Sequence, residues 1–165
     1  MFKKVFALLL LAMVSLTSHT HRRSPEHNYL SKQNEWVEAE LGRMSVEEKI
    51  GQLFMVAAYS NKGEKHFAAI DNLVSNYNVG GLIFFQGGPG REAILTNRFQ
   101  KLSKTPLMIG IDGEWGLAMR LDSTMQFPKE MTLGAIQDND LIVQMGEAIG
   151  EQCKRIGIHV NFAPV

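Results

Sequence analysis

The segment Pro106–Arg120, PLMIGIDGEWGLAMR, gives the strongest indication of the fold. Its aliphatic run, Leu107–Ile111, is typical of a buried strand, and the run stops abruptly at Asp112. In α/β folds, ligands bind at the edge formed by the carboxyl ends of the strands. The segment therefore predicts a strand that delivers Asp112 to a ligand-binding edge, with Arg120 on the short loop that follows.

Helical and strand patterns alternate along the rest of the chain. They predict helices at Asn34–Leu53, Glu64–Tyr77, Arg91–Ser103 and Asp138–Ile156, and strands at Leu53–Tyr59, Gly81–Phe85, Leu107–Ile111 and Ile158–Phe162. Apolar strands separated by helices indicate parallel pairing with both faces of the sheet covered. The fold class is therefore α/β, as a doubly wound open sheet or a TIM-type (β/α)8 barrel. Four strand–helix units are too few to close such a barrel, so a barrel would be represented by its first half.

The polar residues after the third predicted strand have more than one interpretation. Asp112 and Glu114 either contact a ligand or make only local turn and cap hydrogen bonds. We favour a ligand role for Asp112, because it ends a strand that should be fully buried, and the pattern leaves Glu114 undecided. Arg120 suits a hydroxyl or carboxylate partner, although an isolated arginine is more often a surface residue. Trp115 is either a stacking platform for a sugar ring or a plug under the loop.

Composition excludes several classes of function. The 165 residues include 17 basic and 17 acidic side chains, and this balance argues against a nucleic-acid partner or a membrane-surface role. The single cysteine, Cys153, excludes an internal disulfide and a multi-cysteine metal site, and we expect it in the core. His66 is expected at the surface. The glycine-rich Gln86–Gly90 lacks the spacing of a nucleotide fingerprint and predicts a tight turn.

The amino terminus has the pattern of a targeting segment. Lys3 and Lys4 precede an apolar run, Val5–Leu16, of the length found in secretory signal peptides. We expect residues 1–20 to be a cleaved signal and 21–33 to be a polar linker ahead of a domain at 34–165. The linker histidines are expected to be solvated rather than metal-bound. The mature protein should be exported, periplasmic or secreted, with no stable membrane insertion.

The last predicted strand has a polar stripe. His159 and Asn161 alternate with Ile158, Val160 and Phe162, so one face of this strand is polar. In a barrel, that face would be an interior layer or the floor of a site. The commoner explanation for a lone strand histidine is a satisfied hydrogen bond in the core.

An ordered set of motifs resembles a known family. The motifs are Gly80-Gly-Leu-Ile-Phe84, Asp112-x-Glu114-x-Gly116-x-x-x-Arg120, Phe127-Pro128, Leu133-Gly-Ala135 and Gly157-Ile-His-Val-Asn-Phe-Ala-Pro-Val165. From about Leu41 to Val165, the chain resembles the N-terminal barrel domain of glycoside hydrolase family 3, especially its bacterial β-N-acetylhexosaminidase branch. Trp115 is a departure, because many members have glycine at that position.

The resemblance implies a fold, an activity and a binding role for two residues. It implies a (β/α)8 barrel that hydrolyses terminal β-linked sugars with retention, which requires a carboxylate nucleophile and a proton donor. No cofactor or metal is implied. Asp112 and Arg120 match the pair that holds the sugar hydroxyls. The catalytic nucleophile and the catalytic histidine, which follows a Lys-His-x-Pro-Gly-His-Gly motif, have no counterpart in this sequence.

These inferences together give one expectation and three alternatives. The expected protein is the first half of a family 3 barrel, inactive alone, whose full-length parent removes terminal N-acetylglucosamine-like residues from cell-wall or glycan fragments. A β-glucosidase of the same family is the first alternative. A non-catalytic carbohydrate-binding module is the second, and a nucleotide-binding open sheet is the third.

Overall fold

The computed structural model describes residues 35–164, which form two compact units that divide between residues 43 and 44. The predicted signal peptide, linker and linker histidines lie outside the described residues. The first unit is described here only by helix α1, Glu35–Arg43. No helix in the described part of the chain is long and apolar enough to cross a membrane.

The second unit alternates strands and helices along the chain. Its elements are α2 (Val46–Gly51), β1 (Met55–Tyr59), α3 (Glu64–Tyr77), β2 (Gly81–Gln86), α4 (Pro89–Leu102), β3 (Met108–Ile111), a 3-10 turn (Leu117–Met119), α5 (Glu130–Leu133), α6 (Asn139–Ile156) and β4 (Val160–Asn161). The four strands form one parallel sheet in the order β1-β2-β3-β4. Each strand is therefore added beside the one before it, and the order does not reverse as it does in a doubly wound sheet.

One face of the sheet is closed by helices. Leu82 and Phe84 of β2 and Ile109 and Ile111 of β3 are fully buried in a core that includes side chains from α3, α4 and α6. Register pairs Leu82 with Ile109 and Phe84 with Ile111, so these four side chains share this face. Burial of such aliphatic and aromatic side chains contributes roughly 1.5–3 kcal/mol each.

No helix among the described residues covers the opposite face, which we call the concave face. It carries the alternate strand residues, of which Ala57, Met108 and Phe162 are exposed. Gly110 lies on this face because a Cβ there would meet the Phe162 ring at 2.8 Å. The expectation that both faces would be covered is wrong for the described residues. A sheet in sequential order with helices on one face confirms the barrel-type α/β fold and not the doubly wound one.

Side-chain and glycine caps define the ends of α2 and α6. Ser45 and Glu48 form a capping box that starts α2, and the Asp138 side chain accepts a hydrogen bond from the Asp140 backbone amide at the start of α6. Gly157 ends α6 in the left-handed conformation, with a φ of 82°. The 3-10 turn and α5 were not predicted, and β4 is shorter than the predicted Ile158–Phe162.

The one-sided core predicts unequal costs for neighbouring substitutions in β3. Ile109→Ala should lower the free energy of unfolding by about 2–5 kcal/mol, because it leaves a cavity under the helices. Met108→Ala should cost less than about 1 kcal/mol, because Met108 is 52% exposed on the concave face. Urea denaturation of the two variants measures the difference, and equal losses would contradict a core confined to one face.

Candidate active site

Asp112 and Arg120 meet at the carboxyl edge of the sheet. Arg120 Nη2 donates to Asp112 Oδ2, and Arg120 Nε donates to the Asp112 backbone carbonyl at 3.0 Å. Each side chain is 24% exposed, so the pair is shielded but open to a ligand. Asp112 follows Ile111 and lies two residues beyond Gly110, which places it on the concave face. The structure thus brings the two predicted binding residues together.

A tight loop returns Arg120 to Asp112. Gly116 has a φ of 84°, and a Cβ there would meet the Phe127 ring at 2.7 Å, so this position favours glycine for two reasons. The 3-10 turn Leu117–Met119 follows, and the Arg120 amide donates to the Leu117 carbonyl at 2.9 Å. This loop conformation therefore brings Arg120 into contact with Asp112, which lies eight residues earlier in the chain.

Asn161 fixes the backbone just after Asp112. Its Oδ1 accepts from the Gly113 amide at 2.9 Å, and its Nδ2 donates to the Gly113 carbonyl at 3.1 Å. Asn161 is in register with Ile111 and so lies on the helix side of the sheet. The interpretation of the polar stripe as an interior layer is therefore wrong, and Asn161 supports the loop from behind.

The histidines also have backbone partners. His159 is exposed, and its Nδ1 accepts a hydrogen bond from the Ile109 amide at 2.9 Å. His66 is half-buried rather than at the surface as expected, and its Nε2 accepts from the Tyr59 amide at 3.2 Å. Burial, with a smaller contribution from Lys62, lowers the pKa of His66 and so favours the neutral ring. Both imidazoles therefore support the backbone of strand ends.

Glu114 and Trp115 take no part in the hydrogen bonds that join Asp112 and Arg120. Glu114 borders a cleft of about 920 Å³ with Glu130 and apolar side chains of α6, and neither Asp112 nor Arg120 lines it. Trp115 is half-buried, and the Lys129 ammonium lies 4.9 Å from its ring centroid. A cation therefore already lies over the Trp115 ring.

The Gln86–Gly90 segment forms the predicted tight turn. Gly87, with a φ of 142°, and Gly88 separate β2 from α4, and a Cβ on Gly87 would lie 1.7 Å from Ser60 Oγ. Ser60 Oγ accepts from the Gly88 amide at 3.1 Å, and the Gly87 carbonyl accepts from the Asp122 amide at 2.7 Å. These turn groups are already bonded within the protein.

Two aromatic rings that sequence reasoning missed lie beside the pair. The Arg120 Cζ atom lies 5.0 Å from the centroid of Phe85, and Phe85 stacks on Tyr59 at 6.0 Å with an interplanar angle of 28°. The available signal was strand alternation, because Phe85 follows Ile83 on the face opposite to Leu82 and Phe84.

Glu92 is an ionisable core residue outside the concave site. It is fully buried on α4, and neither carboxyl oxygen has a hydrogen-bond partner among the described residues. Burial raises the pKa of Glu92 to about 8, so its side chain is mostly protonated at neutral pH. Cys153 is buried as expected; its pKa is raised by burial and then by Glu92.

The fold and the edge pair together define a class. The chain is the N-terminal part of a (β/α)8-type barrel with a carboxylate–guanidinium pair at the carboxyl edge of its strands. The family model of the glycosyl hydrolase family 3 N-terminal domain matches residues 45–165. The chain belongs to this glycosidase family.

The chain is similar to a part of several longer proteins. A β-N-acetylglucosaminidase/β-glucosidase of Cellulomonas fimi is 26% identical over 130 residues, which cover 79% of this chain and 22% of that protein. β-Hexosaminidase A of Pseudoalteromonas piscicida is 33% identical over 108 residues, which cover 58% of this chain and 18% of that protein. The chain thus spans about a fifth of the length of these curated relatives.

Solved structures share the fold. The β-glucoside phosphorylase BglX bound to 2FGlc has a TM-score of 0.70 and 22% identity over 78% of this chain and 23% of its own. A fungal multi-domain family 3 β-N-acetylglucosaminidase has a TM-score of 0.61 and 28% identity over 73% of this chain and 15% of its own.

The position of Glu92 predicts that stability falls as pH rises. Its pKa in the folded protein, about 8, lies above the ordinary 4.5, so folding favours the protonated form. The contribution of Glu92 to the free energy of unfolding is therefore greatest below pH 4.5, falls between pH 4.5 and 8, and is constant above pH 8.

Glu92→Gln should remove this dependence, because the amide is neutral at every pH. At pH 8 the variant should be more stable than the parent by about 4 kcal/mol, and near pH 4 the two should agree. Urea titrations across this pH range measure the slope of the free energy of unfolding against pH. Glu147→Gln, on the exposed part of α6, is the control and should leave the slope unchanged. Equal slopes for the parent and Glu92→Gln would contradict the prediction.

Proposed function

We propose that Asp112 and Arg120 hold the terminal sugar in a retaining β-N-acetylhexosaminidase, of which this chain forms the first part. The observation that supports this most is the position of the pair: two oppositely charged side chains, bonded to each other, at the carboxyl edge of the concave face. Ligands of barrel enzymes bind at this edge.

The charges of the pair suit a neutral, polyhydroxylated ligand. The carboxylate and the guanidinium cancel, so the pair attracts no particular ionic charge. Asp112 Oδ1 has no donor among the described residues, and a sugar hydroxyl that reached it after a small adjustment would supply one. Arg120 Nη1 has no acceptor among the same residues and is a candidate donor to a second hydroxyl oxygen.

The chemical step requires groups beyond this pair. Retaining hydrolysis uses two catalytic groups on either side of the glycosidic bond, one as nucleophile and one as proton donor. We assign Asp112 to binding, because its carboxylate is bonded to Arg120. The chain by itself is proposed to be inactive, since the outer edges of β1 and β4 have no strand partner among the described residues and the resemblance places both catalytic groups later in the family sequence.

The sugar preference rests on the named relatives. The Pseudoalteromonas protein is named a hexosaminidase, and the Cellulomonas protein carries both the N-acetylglucosaminidase and the β-glucosidase name. We therefore propose N-acetylglucosamine-like sugars, with glucose as the second candidate. The complete gene product should cleave an aryl β-N-acetylglucosaminide faster than an aryl β-glucoside, and the reverse order would move the assignment to a β-glucosidase.

Substitution of the pair tests the site within the complete gene product. Asp112→Asn should lower kcat/KM by roughly a hundredfold, because a charged acceptor for sugar hydroxyls is lost. Asp122→Asn is the matched control on the same loop: its exposed ion pair with Arg91 should matter less than about twofold. An unchanged rate for Asp112→Asn would remove Asp112 from the site, and saccharide binding without turnover would indicate a non-catalytic carbohydrate-binding module.

We also propose that the protein is exported, on the basis of Lys3, Lys4 and the apolar run at Val5–Leu16. The mature protein should then lack Met1 and begin near residue 20. Intact-mass measurement of protein from the periplasm or medium tests this, and a cytoplasmic protein that retains Met1 would contradict it.

A further inference from the structure

We propose that Phe85 is a positioning residue that holds the Arg120 guanidinium in the orientation needed to bind substrate. The inference rests on the proposed function, because it assigns Arg120 to the sugar. It extends the site from the loop after β3 to Phe85, near the carboxyl end of β2.

The first argument is the geometry of the ring and the cation. Arg120 Cζ lies 5.0 Å from the Phe85 ring centroid, within the roughly 6 Å range of a cation–π interaction. Arg120 is 24% exposed, so water competes only in part with this contact. Cation–π attraction is stronger where the cation is partly desolvated.

The second argument concerns the rotation of the Arg120 guanidinium that its hydrogen bonds do not prevent. Nε and Nη2 of Arg120 bond to the Asp112 carbonyl and carboxylate, and both bonds lie along one edge of the guanidinium plane. Two bonds along one edge still allow the plane to tilt about that edge. The Phe85 ring limits this tilt, so the remaining donor, Nη1, keeps a defined direction for a ligand oxygen.

The third argument is that the Phe85 ring is itself supported. Tyr59 of β1 stacks on it at 6.0 Å. Tyr59 forms a T-shaped ring pair with His66, with centroids 5.6 Å apart, and Lys62 Nζ lies 3.7 Å from the Tyr59 centroid. Contacts thus run from β1 through β2 to the loop after β3, and they restrain the ring from swinging away from Arg120.

The chemical reactivity of Arg120 tests the proposal independently of turnover. Phenylglyoxal condenses with accessible guanidinium groups, and peptide mass spectrometry of the complete gene product gives a rate for each arginine. Phe85→Leu and Phe85→Met, which remove the aromatic face, should each accelerate the labelling of Arg120 by roughly threefold to tenfold. Phe85→Tyr should keep the parent rate.

Controls within the same experiment separate positioning from unfolding. Phe84→Leu shortens the neighbouring ring of the helix-side core and should leave the Arg120 labelling rate unchanged. Arg91 and Arg98 form exposed or half-exposed ion pairs elsewhere and should label at constant rates in every variant. An unchanged Arg120 rate in Phe85→Leu and Phe85→Met, or acceleration of all three arginines together, would overturn the proposal.

Kinetics provide the link to substrate. Phe85→Leu should lower kcat/KM by roughly fivefold in the parent, and should cause no further loss in an Arg120→Ala background, because the ring acts through the cation. Independent, multiplying losses would overturn the positioning role. If the complete protein cleaves neither aryl glycoside, the proposed function fails, and the Arg120 labelling rates still decide whether Phe85 orients the guanidinium.

Discussion

In-register parallel pairing is the constraint on which the rest of this structure depends. It aligns Leu82 with Ile109 and Phe84 with Ile111, and so collects the large aliphatic and aromatic side chains on the face that the helices cover. The same alternation leaves Ile83 and Asp112 on the opposite face, and Phe85, where the register shifts against β1, lies there beside Arg120. A slip of one residue in β3 would exchange its two sets of side chains and bury the Asp112 carboxylate under a helix, at the cost of desolvating a charge. Core packing and site geometry are therefore consequences of one register.

The site itself is assembled from both faces of the sheet. Asp112 and Arg120 are bonded on the concave side, while Asn161 bonds the Gly113 backbone from the helix side. The loop is thus held in front by an ion pair and behind by an amide that satisfies both Gly113 polar groups. An unpaired backbone amide at a buried strand end would be costly. Asn161 removes this cost and fixes the point from which the Asp112 side chain extends.

Sequence patterns predicted the elements well where periodicity was long, and poorly where contacts were tertiary. Glu64–Tyr77 has the predicted bounds, because its apolar spacing extends over several turns and Gly63 precedes it. The 3-10 turn and α5 were missed because three and four residues are too few to show a period. Alternation showed that His159 and Asn161 share a face but not which face, since that depends on the neighbouring strand. Phe85 was overlooked because its contact with Arg120 exists only after the loop folds back.

Glu92 and Asp112 both have carboxyl oxygens without a hydrogen-bond partner among the described residues, but the fold stabilises the two carboxyl groups in different ways. Glu92, buried on α4 and with no hydrogen-bond partner for either carboxyl oxygen among the described residues, avoids an uncompensated charge by keeping its proton, because burial raises its pKa to about 8. Asp112 instead has its charge compensated by Arg120, although Oδ1 lacks a donor. A protonated core carboxyl affects stability and is no better placed to bind a ligand than its apolar neighbours. Asp112 is a charged carboxylate at the edge where barrels bind ligands, and one of its oxygens has no hydrogen-bond donor among the described residues. A ligand hydroxyl that donated to this oxygen would be stabilised by the hydrogen bond. That difference is why the saccharide site is assigned to Asp112 rather than to Glu92.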